Sequence, residues 1–257
     1  MQAFLYDQTF EGLLSAVFDA YSLKVFPDAL LSADALTLVS ASHEVLTGRD
    51  KALRVWKGLA ARLSPNALGS LAYAWLGEEQ GRDVRLFRCM RRVFDGQASP
   101  ETDLSDPDIT AVFRLARKVN SEALKLQGFA RFQKSAQGIY FSAVNPRHNV
   151  LPLLLPHFAG RFPDQRWILY DAGRGYGFFR VGGEYREIIP DTACLEQNRL
   201  REDLLAEGEK LFQSLWRNYC RALVIKERLN PALQSRCMPR RYWPYLTEMR
   251  PDDPAAL

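Results

Sequence analysis

At 257 residues, 47% of them hydrophobic, the chain is long enough to bury one large core or two modest ones. No run of about 18 apolar residues is present, and the opening MQAFLYDQTFEG has neither a basic n-region nor a small-residue cleavage site, so a soluble, cytoplasmic protein with no membrane partner is expected. The formal charge of +4 is uneven: residues 1–80 carry 6 Lys and Arg against 9 Asp and Glu, and the remainder 28 against 21.

Ala3 to Tyr6 reads as a short strand, and Asp7 to Thr9 supply capping groups for a helix over 10–21 with an apolar stripe of Phe10, Leu13, Leu14, Val17, Phe18 and Tyr21. Leu36 to Ser40 reads as a second strand. His43 beside Glu44 reads as a surface pair in a polar loop. Three helices are expected over 50–63, 65–77 and 82–95, the second opened by Ser64-Pro65 because proline at the first helical position loses no needed donor. On the third, Arg85, Arg88 and Arg92 form a row that reads as a solvated face. The stretch 96–108, rich in Pro and acidic residues, is the candidate boundary between a mainly helical lobe with short N-terminal strands, 1–100, and an α+β core, 101–257, the two read by default as lobes of one compact body.

Asp106-Pro107 opens a helix to about Leu126, with Arg114 and Arg117 on its outer face. Strands over 128–133 and 138–144 read as an antiparallel hairpin. Asn149 caps a helix carrying Leu151, Leu154, Leu155 and Phe158, and a second hairpin, 167–171 with 176–181, is followed by a strand over 184–189. The expected class is α+β: a central antiparallel sheet packed by helices, with a long C-terminal helix over 196–229.

Several motifs test for chemistry. GRGYG lacks GxxxxGK[ST] and precedes a strand, so it reads as a hairpin turn, not a phosphate loop. His148 and His157 stand nine residues apart with no HExxH, and the cysteines at 89, 194, 220 and 237 form no CxxC, so no metal site and no cofactor is expected. A polar cluster of His148, His157, Arg161, Asp171 and Arg174 at one sheet edge is the place where a histidine would exchange protons and an arginine hold phosphate; helix-to-sheet pinning is the competing reading. For acid–base work the candidates are His148, His157, Asp171 and Glu248. For phosphate contact they are Arg114, Arg117, Arg131, Arg161, Arg174, Arg240 and Arg241, with Trp243 as a stacking partner in the tail.

Three long motifs carry a resemblance: YDQTFEGLLSAVFDAY, NVLPLLLPHFAGRFPDQRWILYDAGRGYG, and LWRNYCRALVIKERLNPALQ followed by PRRYWPYLTE. Together they make the chain similar to a bacterial family of DNA-metabolism or DNA-repair proteins of unknown function. The resemblance implies a partner, because members are typically encoded beside a radical SAM enzyme thought to act on DNA, and some chains join the domain to a uracil-DNA glycosylase-like domain. This chain carries no radical SAM cysteine triplet and resembles the stand-alone form. The expected function is that of an accessory protein that binds DNA, with RNA as the other polyanion open to it, and acts with the radical SAM protein. The alternatives are a nucleic-acid-directed enzyme using a His/Asp pair and a protein-only scaffold for that partner. No catalytic residue follows from the resemblance.

Overall fold

The computed structural model describes residues 2–32, 34, 41–96 and 105–249. The chain forms two compact units, Met1–Asn120 and Ser121–Leu257. The expected strand over 36–40 and most of the connection over 96–108 lie outside the described residues. The class is mixed α+β. The expected single central antiparallel sheet is replaced by separate small sheets.

In the first unit β1 (Gln2–Tyr6) lies between β2 (Ala29–Ser32) and β3 (Ala41–Glu44), and both pairings are parallel. A helix between β1 and β2 explains the direction, since parallel neighbours need a crossover connection. That helix, α1 (Phe10–Leu23), starts where expected: Thr9 Oγ1 accepts from the Gly12 amide at 2.9 Å, and Asp7 Oδ1 holds the Thr9 hydroxyl at 2.7 Å. The segment read as a polar loop around His43 is the edge strand β3. Its imidazole meets buried Asp19 of α1, Nε2 to Oδ2 at 3.0 Å, and Lys51 meets the other oxygen at 2.8 Å. Three further helices follow, α2 (Arg49–Ala60), α3 (Pro65–Trp75) and α4 (Arg82–Phe94). The arginine row on α4 is ion-paired in part, with Arg88 3.3 Å from Asp108 and Arg92 paired to Asp106.

Helix α5 (Pro107–Phe129) begins on Asp106, whose Oδ1 accepts from the Asp108 and Ile109 amides at 2.8 and 2.9 Å. It runs past the expected end at Leu126 and absorbs the start of the expected strand over 128–133. The division between the two units falls within it.

The second unit holds a five-stranded sheet in chain order, β4 (Gln133–Lys134), β5 (Tyr140–Val144), β6 (Trp167–Asp171), β7 (Tyr176–Val181) and β8 (Glu184–Ile188). It is mixed and not antiparallel throughout: β5 and β6 are parallel, joined by α6 (Leu151–Arg161), while the other pairs are antiparallel. Leu151, Leu154 and Phe158 of α6 are buried with Trp167 and Leu169 of β6. Around them Phe132, Phe158, Phe162 and Trp167 form edge-to-face pairs 5.2–6.3 Å apart.

The expected long helix over 196–229 is broken. A two-residue ladder, β9 (Leu195–Glu196) with β10 (Arg199–Leu200), turns through Gln197 and Asn198 at positive φ, and Gly208 at φ 85° precedes α7 (Glu209–Ala222). After α7 come short helical turns and α8 (Pro231–Cys237), capped by the Asn230 side chain on the Leu233 amide at 2.9 Å. Among the described residues no helix is long and apolar enough to cross a membrane.

Close packing of β7 on β6 depends on a bare backbone at Gly177, where an added Cβ would stand 2.6 Å from the Leu169 carbonyl oxygen and 3.1 Å from Tyr170 Cα. Gly177→Ala is expected to lower stability by about 1–3 kcal/mol, because a strand backbone must move to admit the methyl. Urea unfolding checks this as a lower midpoint with an unchanged slope.

Candidate functional site

A cleft of about 730 Å³ opens in the second unit, lined by the end of α5, the segment into β4, the end of α6, and the first two turns of α7. Its floor follows from the sheet. The β4 edge is extended by residues 204–206, which exchange backbone hydrogen bonds with it: the Ala136 amide donates to the Leu204 carbonyl and the Ala206 amide to that of Lys134, both at 2.9 Å. This seats α7 beside β4. Buried Glu209 then locks the first turn, its Oε2 accepting from the Lys134 amide at 3.1 Å and its Oε1 from the Gln213 side chain at 2.9 Å. A carboxylate at that end of a helix is also favoured by the exposed amides there.

Phe212 and Trp216 stand on the α7 wall, 70% and 38% exposed. Trp216 is held by a three-part clamp. Arg131 Nε and Nη2 reach the two oxygens of Glu248 at 3.1 and 2.6 Å, and the Trp216 indole donates to Glu248 Oε2 at 2.9 Å. The Arg131 guanidinium also lies 5.3 Å from the Trp216 ring centre. Burial of Glu248 alone would raise its pKa, but the hydrogen bonds from Arg131 and Trp216 prevail and hold it below the ordinary carboxylate value. Arg131 further donates to the Gly128 and Ala130 carbonyls, so four of its five donors are spent.

Two cations of the cleft differ from Arg131. Lys134 is exposed and stands 5.9 Å from the Tyr140 ring centre; Arg161 is exposed and stands 5.7 Å from that of Phe162. Neither has a carboxylate partner among the described residues. The site thus combines two open positive charges with the partly exposed aromatic rings of Phe212 and Trp216, the latter flanked by Arg131 and by Tyr219 at 5.7 Å.

The residues anticipated from sequence separate into several places. Arg131, Arg161 and Glu248 meet at or beside the cleft. Asp171 is fully buried; its Oδ1 accepts from the Gly173 and Arg174 amides at 2.9 and 3.1 Å, and its Oδ2 pairs with the Arg174 guanidinium at 2.8 Å. Arg174 also donates to the Pro146 and Arg147 carbonyls, tying the loop after β5 to the β6–β7 turn. His148 lies buried in that loop, and its amide donates to Glu122 Oε2 at 2.9 Å. His157 is half-buried on α6 with its ring 5.0 Å from Phe158. Arg241 pairs with Glu122, while Arg240 lies over Trp243, whose indole donates to the Met238 carbonyl at 3.0 Å. Arg114 and Arg117 are exposed on the part of α5 that belongs to the first unit. Among the described residues no three His, Cys, Asp or Glu side chains gather as a metal-binding group.

Sequence reading passed over Phe132, Lys134, Phe162, Glu209, Phe212 and Trp216 as site residues. The usable signal was Glu209, the acid directly after Gly208, followed by aromatics at 212 and 216 on one helical face.

The fold and cleft define a small mixed α+β module with a cleft lined by basic and aromatic side chains. Residues 80–248 match the model of DUF4130, a domain of unknown function, and the chain belongs to that family. The matched span contains every residue that lines the cleft. No curated protein and no solved structure matches the chain.

The carboxylate that ties this unit together is Glu122, which accepts from the Arg147 and His148 amides at 2.9 Å each, from the Tyr242 hydroxyl at 2.7 Å, and from Arg241. Burial alone would raise its pKa; these donors outweigh burial and lower it. A depressed folded pKa gives stability that is present above the unfolded value and is lost as pH falls through the folded one. Glu122→Gln is therefore expected to cost about 1.5–3 kcal/mol at pH 7 and to flatten the loss of stability on acidification, as read from urea midpoints between pH 7 and pH 3.

Proposed function

We propose that this protein binds a DNA strand across the cleft and serves as an accessory to a radical SAM enzyme. The single observation that carries the binding half is the pairing of two uncompensated cations, Lys134 and Arg161, with the accessible rings of Phe212 and Trp216 in one cavity. The choice of DNA and of the radical SAM partner comes from the resemblance of the three motifs. Arg240 in the tail, and Arg114 and Arg117 on α5, are further exposed groups suited to phosphate, with half-buried Trp243 beside Arg240 as a stacking ring, whereas Arg131, Arg174 and Arg241 are engaged by Glu248, Asp171 and Glu122 and act in this reading by holding the site's frame. Among the described residues both carboxylates suggested for acid–base chemistry, Asp171 and Glu248, are held by arginine, so the enzyme reading gains no support from the geometry.

Binding that neutralises phosphates releases counterions, so affinity should fall as salt rises from about 50 to 200 mM. Fluorescence anisotropy of labelled DNA oligonucleotides measures it. No binding at the low-salt end would remove the proposal.

One observation favours a second reading, the protein-only scaffold. Leu211, Leu215, Tyr219 and Leu223 recur every fourth residue on α7 and just beyond it, and are 63%, 54%, 56% and 60% exposed. Residues 210–241 carry 8 Lys and Arg against 1 acid, which opposes self-pairing and suits an acid-rimmed protein surface. Replacing Leu211 and Leu215 by serine, which adds no charge beside the cleft, should abolish co-purification with the radical SAM enzyme while leaving DNA affinity intact. Loss of DNA binding with retained co-purification would reverse the assignment of the two surfaces.

A further inference from the structure

We infer that the cleft takes an unpaired nucleotide of a strand, its base laid against Phe212 and Trp216 and its phosphates at Lys134 and Arg161. The inference rests on the nucleic-acid reading above and names the form of nucleic acid that the site admits.

In a duplex each base face is covered by its neighbours, and only base edges and the phosphate backbone are offered to a protein. Aromatic side chains gain from a base only when its face is bare, in a single strand, a loop or a flipped-out position. The rings of this cleft are placed for such a face. Phe212 is 70% exposed, a large apolar surface left in water at the cavity mouth. The clamp formed by Arg131 and Glu248 fixes the Trp216 plane before any ligand arrives, so little rotamer freedom remains to be lost on stacking. A volume of about 730 Å³ falls in the range of pockets that enclose a small ligand. It admits a nucleotide, whereas a duplex laid over the mouth would reach the two cations and leave the rings uncovered.

The charge count sharpens the expectation. Two open cations set a log–log salt slope of about −1.4 for a single strand, from the slope of about −0.7 per neutralised phosphate.

The test compares three labelled probes of one sequence on the full chain: a 12-nucleotide single strand, the blunt duplex, and the duplex with one unpaired bulged nucleotide. The single strand and the bulged duplex should bind more tightly than the blunt duplex. Phe212→Ala, at a position exposed enough to leave the fold intact, should weaken both by roughly tenfold or more, since stacking on one aromatic ring is worth that much per base, and leave the blunt duplex unchanged. Arg161→Ala should take about 0.7 from the single-strand salt slope. Equal affinity for single strand and blunt duplex, with no effect of Phe212→Ala, would overturn this inference while the DNA-binding proposal stood. A free deoxynucleoside monophosphate competing as well as the 12-nucleotide strand would overturn the assignment to a strand. Binding of none of the probes would sink both readings.

Discussion

Glu122 sets the frame of the second unit. Its carboxylate is taken almost wholly out of water, which alone would be costly, and it persists because four donors converge on it: two successive backbone amides after β5, a tyrosine hydroxyl and a guanidinium from the C-terminal segment. Two stretches distant in sequence, the loop after β5 and the C-terminal segment, are thereby fixed to one point on α5. Tyr242 is equally committed, being buried and hydrogen-bonded to Glu122, and its ring packs 5.9 Å from that of Phe129 at the end of the same helix. Without that carboxylate the buried amide of His148 would be left unpaired, and the loop that leads into α6 would lose its anchor. The end of α6 carries Arg161, so the frame and the cleft are mechanically related through one element.

The cleft is held by the same device used in a second place. Glu248, in the same C-terminal segment as Tyr242, fastens Arg131 and Trp216, and Glu209 fastens β4 to α7. In each case a partly or fully buried carboxylate collects several donors, and at Glu122 and Glu248 the arginine that neutralises it is no longer free for a ligand. This division of labour among cations is what composition cannot show. Arg131 and Arg161 look alike in sequence, yet one is spent on structure and the other faces solvent.

Local signals were legible because their causes are local. Thr9 and Ser64 cap the helices they precede, and Asp106-Pro107 starts α5, since capping needs only the next three residues. The direction of β5 against β6 was open to inference from the intervening helix, yet alternation within each strand says nothing of it, and the antiparallel expectation failed there. The helix expected over 196–229 carries a helical apolar period, but Asn198 and Gly208 at positive φ cut it at two points that the period alone does not mark. Glu122 was invisible because an acid on the polar side of a long helix is ordinary; its four donors lie 25 and 26 residues away in one loop and 119 and 120 residues away in another segment. The cleft was missed for the same reason, being assembled from residues near 131, 161 and 212.

The position of α7 rests on these polar pins more than on burial. A 14-residue helix is marginal by itself in water, and among its own residues only Glu209 is buried, while its leucines and aromatics remain largely exposed. An ordinary surface helix of that sequence would turn the apolar stripe inward and bury it. Here the first turn is tied to β4 by Glu209, and the Trp216 indole to Glu248, so the orientation is dictated by hydrogen bonds and a large apolar area is left in contact with water. That area is a standing cost which any ligand or partner covering it would relieve, by about 25 cal/mol for each Å² removed from water. The pins set Phe212 and Trp216 at the cleft, and the exposed apolar area continues along the same helix through Tyr219, whose ring lies 5.7 Å from that of Trp216, to Leu211 and Leu215.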